Sequence, residues 1–279
     1  MATTALQTQY RQEFIAAYEQ GQSLLRSTVT TEANVNGNSA VFLVAGSGSA
    51  AAVTRGENGL IPARADSLTQ NTCTLTEWHD LVRKTGFNIE AGQGDQRRIM
   101  QQTSMGVLNR KIDSDILSAL GDGTNDTGTA ATASLALVMK ARAILGNAEV
   151  PTEEEDNMFA IMSPAFEAYM MQVSAFTSAD FVEVKPFNGP ARRFRRWAGC
   201  NWIVHPNVSG VGTNAEKCFM FHRNAIGHAI NMGDLQSIVG YDEEQDYSYA
   251  RTTGYMGAKL LQNSGVVVMN HDGSAYVAA

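Results

Sequence analysis

Charge is scarce in this chain. Only 18% of its 279 residues are Asp, Glu, Lys or Arg, against roughly 25% in ordinary soluble domains. Less freely solvated surface is what a subunit that spends its surface on neighbours would have; a Gly- and Ala-rich enzyme has the same texture. Cysteine is nearly missing as well. Cys73, Cys200 and Cys218 are an odd count without paired spacing, which excludes a disulfide framework and a CxxC zinc site and fits a reducing compartment. Apolar runs are only several residues long, too short to span a membrane. Met1 to Gln9 is polar and lacks the basic cluster and apolar core of a secretory leader, so the expectation is a soluble product of a cytoplasm. Basic excess is absent too. Lys+Arg 21 against Asp+Glu 28 gives a net charge of −7, which argues against a dedicated nucleic-acid binder. The length allows one large domain or two modest ones with a real core.

Catalytic and cofactor motifs are equally thin. Val44 to Ala51 reads VAGSGSAA and matches GxGxxA after a strand, with Asp66 about twenty residues on. A dinucleotide fingerprint needs a helix next, whose N-terminus holds the pyrophosphate; here Asn58-Gly59 and Pro62 forbid one, and a flexible loop is the better account. His79, His205, His222, His228 and His271 never form HExxH or HxH. The runs Glu153 to Asp156 and Asp242 to Asp246 lack the alternating ligand spacing of an EF-hand and read as solvated loops. No GxSxG elbow supports serine catalysis. No catalytic, cofactor-binding or metal residue is assigned, and no cofactor is expected.

Periodicity then gives an order of parts. Leu6, Tyr10, Phe14 and Tyr18 make an apolar stripe on an N-terminal helix ending near Gly21, packed on its own domain or on a neighbour. Ser27 to Ser39 is weakly structured. From Val41 to Ile89 the chain makes a long two-stranded excursion. Val41 to Ala45 goes out, Gly46 to Gly59 is small and polar near the tip, Leu60-Ile61-Pro62 turns, and Thr72 to Phe87 returns as one strand. With little core of its own, its use would be to reach across a neighbour. From Asp95, Ile99, Met105, Leu108, Ile112, Ile116 and Leu120 trace one face of a helix ending at Gly121, roughly 35 to 40 Å long at 1.5 Å per residue. A second helix, Ala131 to Leu145, places Leu135, Val138, Met139, Arg142 and Ile144 around its core side and stops at Gly146-Asn147.

An α/β pattern follows. Met158 to Met162 is a strand, Ser163-Pro164 caps the helix Ala165 to Val173, and Cys200 to Val204 and Cys218 to Phe221 are strands. Asn224 to Ile230 reads as a short helix, and strands near residues 238, 247 and 267 finish the chain. Tyr247, Tyr249 and Tyr255 alternate with polar residues as on a half-buried strand. One basic patch stands out: Arg192, Arg193, Arg195 and Arg196 with Phe194 and Trp197. It suits phosphate and bases, or carboxylates of an adjacent subunit, because the planar guanidinium binds either anion bidentately. The subunit interface is the preferred reading.

This order of parts resembles the Hong Kong 97-type capsid fold of tailed-bacteriophage major capsid proteins. The resemblance rests on DQRRIMQQTSMGVLNRKIDSDILSALG as spine helix, MFAIMSPAFEAYM as axial strand and helix, KCFMFHRNAIGHAIN, and the closing segment from Tyr241. It implies an α+β fold with an N-terminal arm (1–40), an extended β-hairpin E-loop (41–90), a peripheral domain with the spine helix (91–150), an axial domain (151–235), and a return to the peripheral domain with a closing strand (236–279). It also implies a structural protein, not an enzyme, that forms the pentamers and hexamers of an icosahedral virion shell around double-stranded DNA. Arg55, Arg64, Arg192, Arg193, Arg195, Arg196 and Trp197 are the interface candidates. Some members crosslink through an E-loop lysine; no lysine precedes Lys84 here, so that chemistry is not expected. The chain opens on what looks like the arm, so a separate scaffolding protein is expected beside a portal, with the presence of a decoration or cement protein left open. An encapsulin-like compartment of the same fold, or an α/β enzyme with a cleft near His205, Asn207 and His222, are the alternatives.

Overall fold

The computed structural model describes residues 22–47, 50–64, 66–91, 95–174 and 195–276. The expected N-terminal helix lies outside these residues. So do Arg192 and Arg193.

Three sheets organise the described chain. Strands β1 (Thr30–Glu32), β4 (Thr76–Thr85), β9 (Ile226–Asp242) and β10 (Tyr247–Leu260) form a four-stranded sheet in the order β1-β9-β10-β4. Strands β5 (Met158–Met162), β6 (Arg195–Trp197), β7 (Cys200–Val204), β8 (Glu216–His222) and β11 (Val266–His271) form a five-stranded sheet in the order β11-β8-β5-β7-β6. β2 (Ser39–Gly46) and β3 (Ser67–Thr74) pair only with each other. The helices are α1 (Gly86–Ala91), α2 (Gln96–Gly121), α3 (Leu135–Asn147) and α4 (Pro164–Met170).

Alternation explains how the five-stranded sheet builds two cores. Successive side chains on a strand point to opposite faces, and here both faces are apolar. Phe159, Ile161, Ile203, Phe219, Phe221, Val266 and Val268 face α2, where Leu108, Ile112, Ile116 and Leu120 meet them. Met158, Ala160, Met162, Trp202, Cys218, Met220, Val267 and Met269 face the other way, against Leu137, Val138, Ala141 and Leu145 of α3 and Phe166 and Met170 of α4. α2 also covers the four-stranded sheet: Met256, Ile226 and Ile230 join the same cluster as its apolar stripe. Lys111 of α2 sits 3.8 Å from the centroid of the Trp78 ring of β4 and pairs with Asp115 at 2.7 Å. α2 is therefore the strut between the sheets.

The local signals act as expected at several ends. Asp95 caps α2 by accepting from the Arg98 amide at 3.2 Å, and Ser163 caps α4 by accepting from Phe166 with Pro164 at the first turn. Four expectations fail. Thr72 to Phe87 is not one strand: it changes partner at Leu75, β3 pairing with β2 and β4 with β10, and Phe87 lies in α1. Asn224 to Ile230 is not a helix. After a 3-10 turn at Arg223–Ala225 it opens β9, which runs for 17 residues. The closing strand β11 joins β8 in the five-stranded sheet, while β10 returns to the sheet of β4 and β9. In α3, Leu135 and Met139 are exposed and Leu137, Val138, Ala141 and Leu145 are buried, so its inner face is rotated from the expected one.

Candidate subunit-interface surface

Among the described residues, the hairpin β2–β3 has little core of its own. Its ladder runs in register from Ser39↔Thr74 to Gly46↔Ser67. Only its base is packed: Val35, Ala40, Cys73 and Ala229 form a small cluster with Phe42 and Leu75 against it, and Asn71 donates to the Leu261 carbonyl at 3.2 Å. Beyond the base, apolar side chains stand in solvent. Leu43 is 62% exposed, Leu68 61%, and at the tip Leu60 is 75% and Ile61 64% exposed. A two-stranded ribbon is marginal alone in water, and a contiguous exposed apolar surface marks a contact site. Tip residues 50–64 carry turns, not a helix: the Gly59 amide donates to Gly56 at 2.9 Å, and the Gly56 amide to Leu60 at 3.1 Å. No helix N-terminus follows VAGSGS among the described residues, so the dinucleotide reading falls. Arg55 is exposed on this tip, and Arg64, also exposed, reaches Asp66 at 2.5 Å. Both interface candidates on the excursion thus sit where a neighbour could meet them.

The arginine patch is arranged differently from its expectation. Arg195 of β6 pairs with Glu167 of α4 in its own chain, both largely shielded. Arg196 pairs with Asp156 at 2.5 Å in an exposed pair. Trp197 is 8% exposed and packs at 5.8 Å from Trp202, whose indole N–H donates to the Trp197 carbonyl at 2.9 Å. Trp197 therefore belongs to the chain's own core. The tight β6–β7 turn needs positive φ at Ala198 (51°) and Gly199 (68°), and the Arg142 guanidinium donates to the Ala198 carbonyl, so Arg142 works at this turn.

Three histidines sit in internal polar contacts. His205 is buried; its Nδ1 accepts from the Asn207 amide at 3.1 Å, which leaves the proton on Nε2, 3.3 Å from Asp113 Oδ2. His222 accepts from the Asn224 amide and lies 3.8 Å from Glu154. These two rings stand at opposite ends of β5. Met158 pairs with His222, whereas the His205 amide donates to Met162. The proposed enzyme cleft is thereby dismantled. His271 lies 3.7 Å from Glu216, which also accepts from Ser163 at 2.5 Å and from the Gly212 amide at 2.8 Å. Burial pushes the Cys218 thiol up to about 12 and the Cys200 thiol to about 11, so neither supplies a thiolate nucleophile near neutral pH. Among the described residues no three His, Cys, Asp or Glu side chains gather as metal ligands. What sequence reasoning missed are these buried carboxylate–histidine pairs, whose members lie far apart in the chain and leave no local signature.

Comparison with known proteins fits this arrangement. The family profile of the phage capsid proteins matches residues 2–273. No curated protein matches. Among solved structures, one described as Mycobacterium phage Che8 superposes with a TM-score of 0.75 at 16% identity, covering 97% of this chain and 98% of that one. The capsid of Ralstonia phage GP4 gives 0.70 at 13% identity over 99% and 98%, and the capsid of a native GTA particle 0.70 at 13% identity over 96% of each chain. The fold is the Hong Kong 97-type capsid fold, and the chain belongs to the phage capsid protein family.

Proposed function

We propose that this chain is the major capsid subunit of a tailed phage head, and that copies of it form the pentamers and hexamers of an icosahedral shell around double-stranded DNA. The observation that carries this reading is the β2–β3 hairpin: an ordered ladder whose outer apolar residues find no core among the described residues. A shell built from one repeated subunit supplies that missing core from the next copy. The low charge and the net −7 agree with it, because a wall of like sign to DNA confines the polymer without gripping it. Such a subunit needs no catalytic constellation. Its place is the virion, with assembly in the host cytoplasm, a scaffolding protein encoded separately, and a portal and decoration protein as further partners. Sedimentation velocity and negative-stain microscopy of the purified protein test the reading: capsomers, shells or tubes are expected, and a monodisperse monomer under all assembly conditions would overturn it.

A further inference from the structure

Asp113 stands on α2, and donors from elsewhere in the chain meet its carboxylate. Its carboxylate, 1% exposed, accepts from Ser23 Oγ at 2.5 Å, from the Leu24 amide at 2.9 Å, from the Leu25 amide at 3.1 Å and from His205 Nε2 at 3.3 Å. Three of these donors belong to one short segment, Ser23–Leu25, the root of the described chain. Ser23 Oγ also accepts from the Arg26 amide at 3.1 Å, and the Thr28 amide closes the following 3-10 turn on Leu25 at 2.9 Å. α2 itself does not depend on this carboxylate, since Leu108, Ile112, Ile116 and Leu120 hold it in the core. Only the root does.

We propose that Asp113 is a releasable clasp for the segment Ser23–Thr28: ionised, it pins Ser23–Leu25 to α2, and one proton on it frees that root while the two sheets stay packed. An ionised carboxylate offers acceptor sites for all four donors, whereas a protonated one must itself donate and cannot satisfy them. Other titratable and charged groups stand around it. His205 reaches it from the end of β7 with a tautomer fixed by the Asn207 amide. His228 of β9 is buried and feels both Arg26 of the root and Asp113; a proton there would set a second cation beside Arg26. Arg223, which donates to the Ser27 carbonyl at 3.1 Å, and the parallel pairing of β1 with β9 hold the next part of the segment. Burial alone would raise the Asp113 carboxyl, but the bonds from His205, Ser23, Leu24 and Leu25 outweigh it and keep it below the usual carboxylate value. A depressed carboxyl stabilises above its unfolded pKa of roughly 3.9 and loses that contribution as pH falls through the lower folded value. The clasp is closed at neutral pH and opens in acid. This inference stands apart from the reading of the chain as a shell subunit.

Amide hydrogen exchange of the full chain, expressed as protection factors to remove the intrinsic pH dependence, tests it at Leu24, Leu25 and Thr28. In the wild type their protection is expected to fall about tenfold from pH 7 to pH 3, the size set by losing charge-assisted bonds, through a local opening that leaves Ala160 and Met220 better protected than the root at both pH values. In Asp113→Asn it is expected to be low already at pH 7 and to change little with acid. Ser23→Ala, which leaves α2 untouched, should give a smaller loss confined to the same amides. PH-independent protection at the root would overturn the proposal, as would root amides that exchange only as slowly as Ala160 and Met220 at both pH values, or Asp113→Asn that keeps the full wild-type pH response. If Asp113→Asn does not fold, Ser23→Ala with unchanged protection at Leu24 and Leu25 is itself the contradicting result.

Discussion

Phe42 of β2 packs against the bare backbone of Gly227 on β9: a Cβ built on that glycine would lie 2.9 Å from the ring. The second seat of the hairpin is Gly257 on β10, where a Cβ would run into the Thr74 carbonyl and stand 3.3 Å from Cys73 Sγ. Two glycines on neighbouring strands thus let the base of the hairpin lie close on the four-stranded sheet. The obstacle differs, a ring that can shift in one case and backbone in the other. Gly227→Ala is therefore expected to cost about 1 kcal/mol and Gly257→Ala about 2–3 kcal/mol, within the range of overpacked cores. Urea denaturation of both variants checks the order, and a reversed order would contradict it.

The tip of the hairpin should be cut readily before assembly. Arg55 and Arg64 lie in an exposed, turn-rich segment with few buried contacts, the kind of site where proteases act. Trypsin is expected to cleave there fast in free subunits and slowly in assembled particles. Equal rates in both states would deny that a neighbour covers the tip.

Arg195 and Arg196 should separate folding from assembly. Arg195→Ala removes the partner of a largely shielded Glu167 and is expected to cost about 1–3 kcal/mol of stability. Arg196→Ala breaks an exposed pair and is expected to cost under about 1 kcal/mol. A subunit carrying Arg196→Ala that melts normally but assembles poorly would assign Arg196 to an interface; normal assembly with weaker DNA retention would assign it to phosphate instead. Thermal melting and sedimentation read both.

Stability should fall on mild acidification, and His228 should be one reason. Burial, helped by Arg26 and opposed by Asp113, holds His228 at about 4, below the roughly 6.5 of an unfolded chain. The unfolded state takes the proton first, so the contribution is intact above about 6.5, shrinks towards 4 and is constant below, a span of about 3 kcal/mol. Burial also lowers His222 and His271, which add slope in the same direction. Denaturation midpoints at pH 7.5 and 4.5 should therefore differ less in His228→Gln than in the wild type; equal differences would contradict the assignment.

The frame was legible in the sequence wherever one face of an element is polar. α2 shows its stripe and its Asp95 cap, and α4 its Ser163-Pro164 start. β9 was hidden because Ile226 to Ile230 is buried on every side, so Ile226, Ala229 and Ile230 fall by chance at helical spacing. The handover at Leu75 was invisible because alternation continues unbroken while the partner strand changes. For the interface, the exposed excursion was readable from its small and polar composition. The internal partners of Arg195 and Trp197 were not, since Glu167 and Trp202 become neighbours only once β6 pairs with β7 and both lie over α4.

Electron cryomicroscopy of the particles formed by the purified chain tests the central claim most directly. A closed shell of repeated subunits is expected, with the β2–β3 hairpin of each copy laid on a neighbour and Leu43, Leu60, Ile61 and Leu68 buried there. Particles in which that hairpin projects freely into solvent, or a chain that stays monomeric with the hairpin folded onto its own sheets, would contradict it.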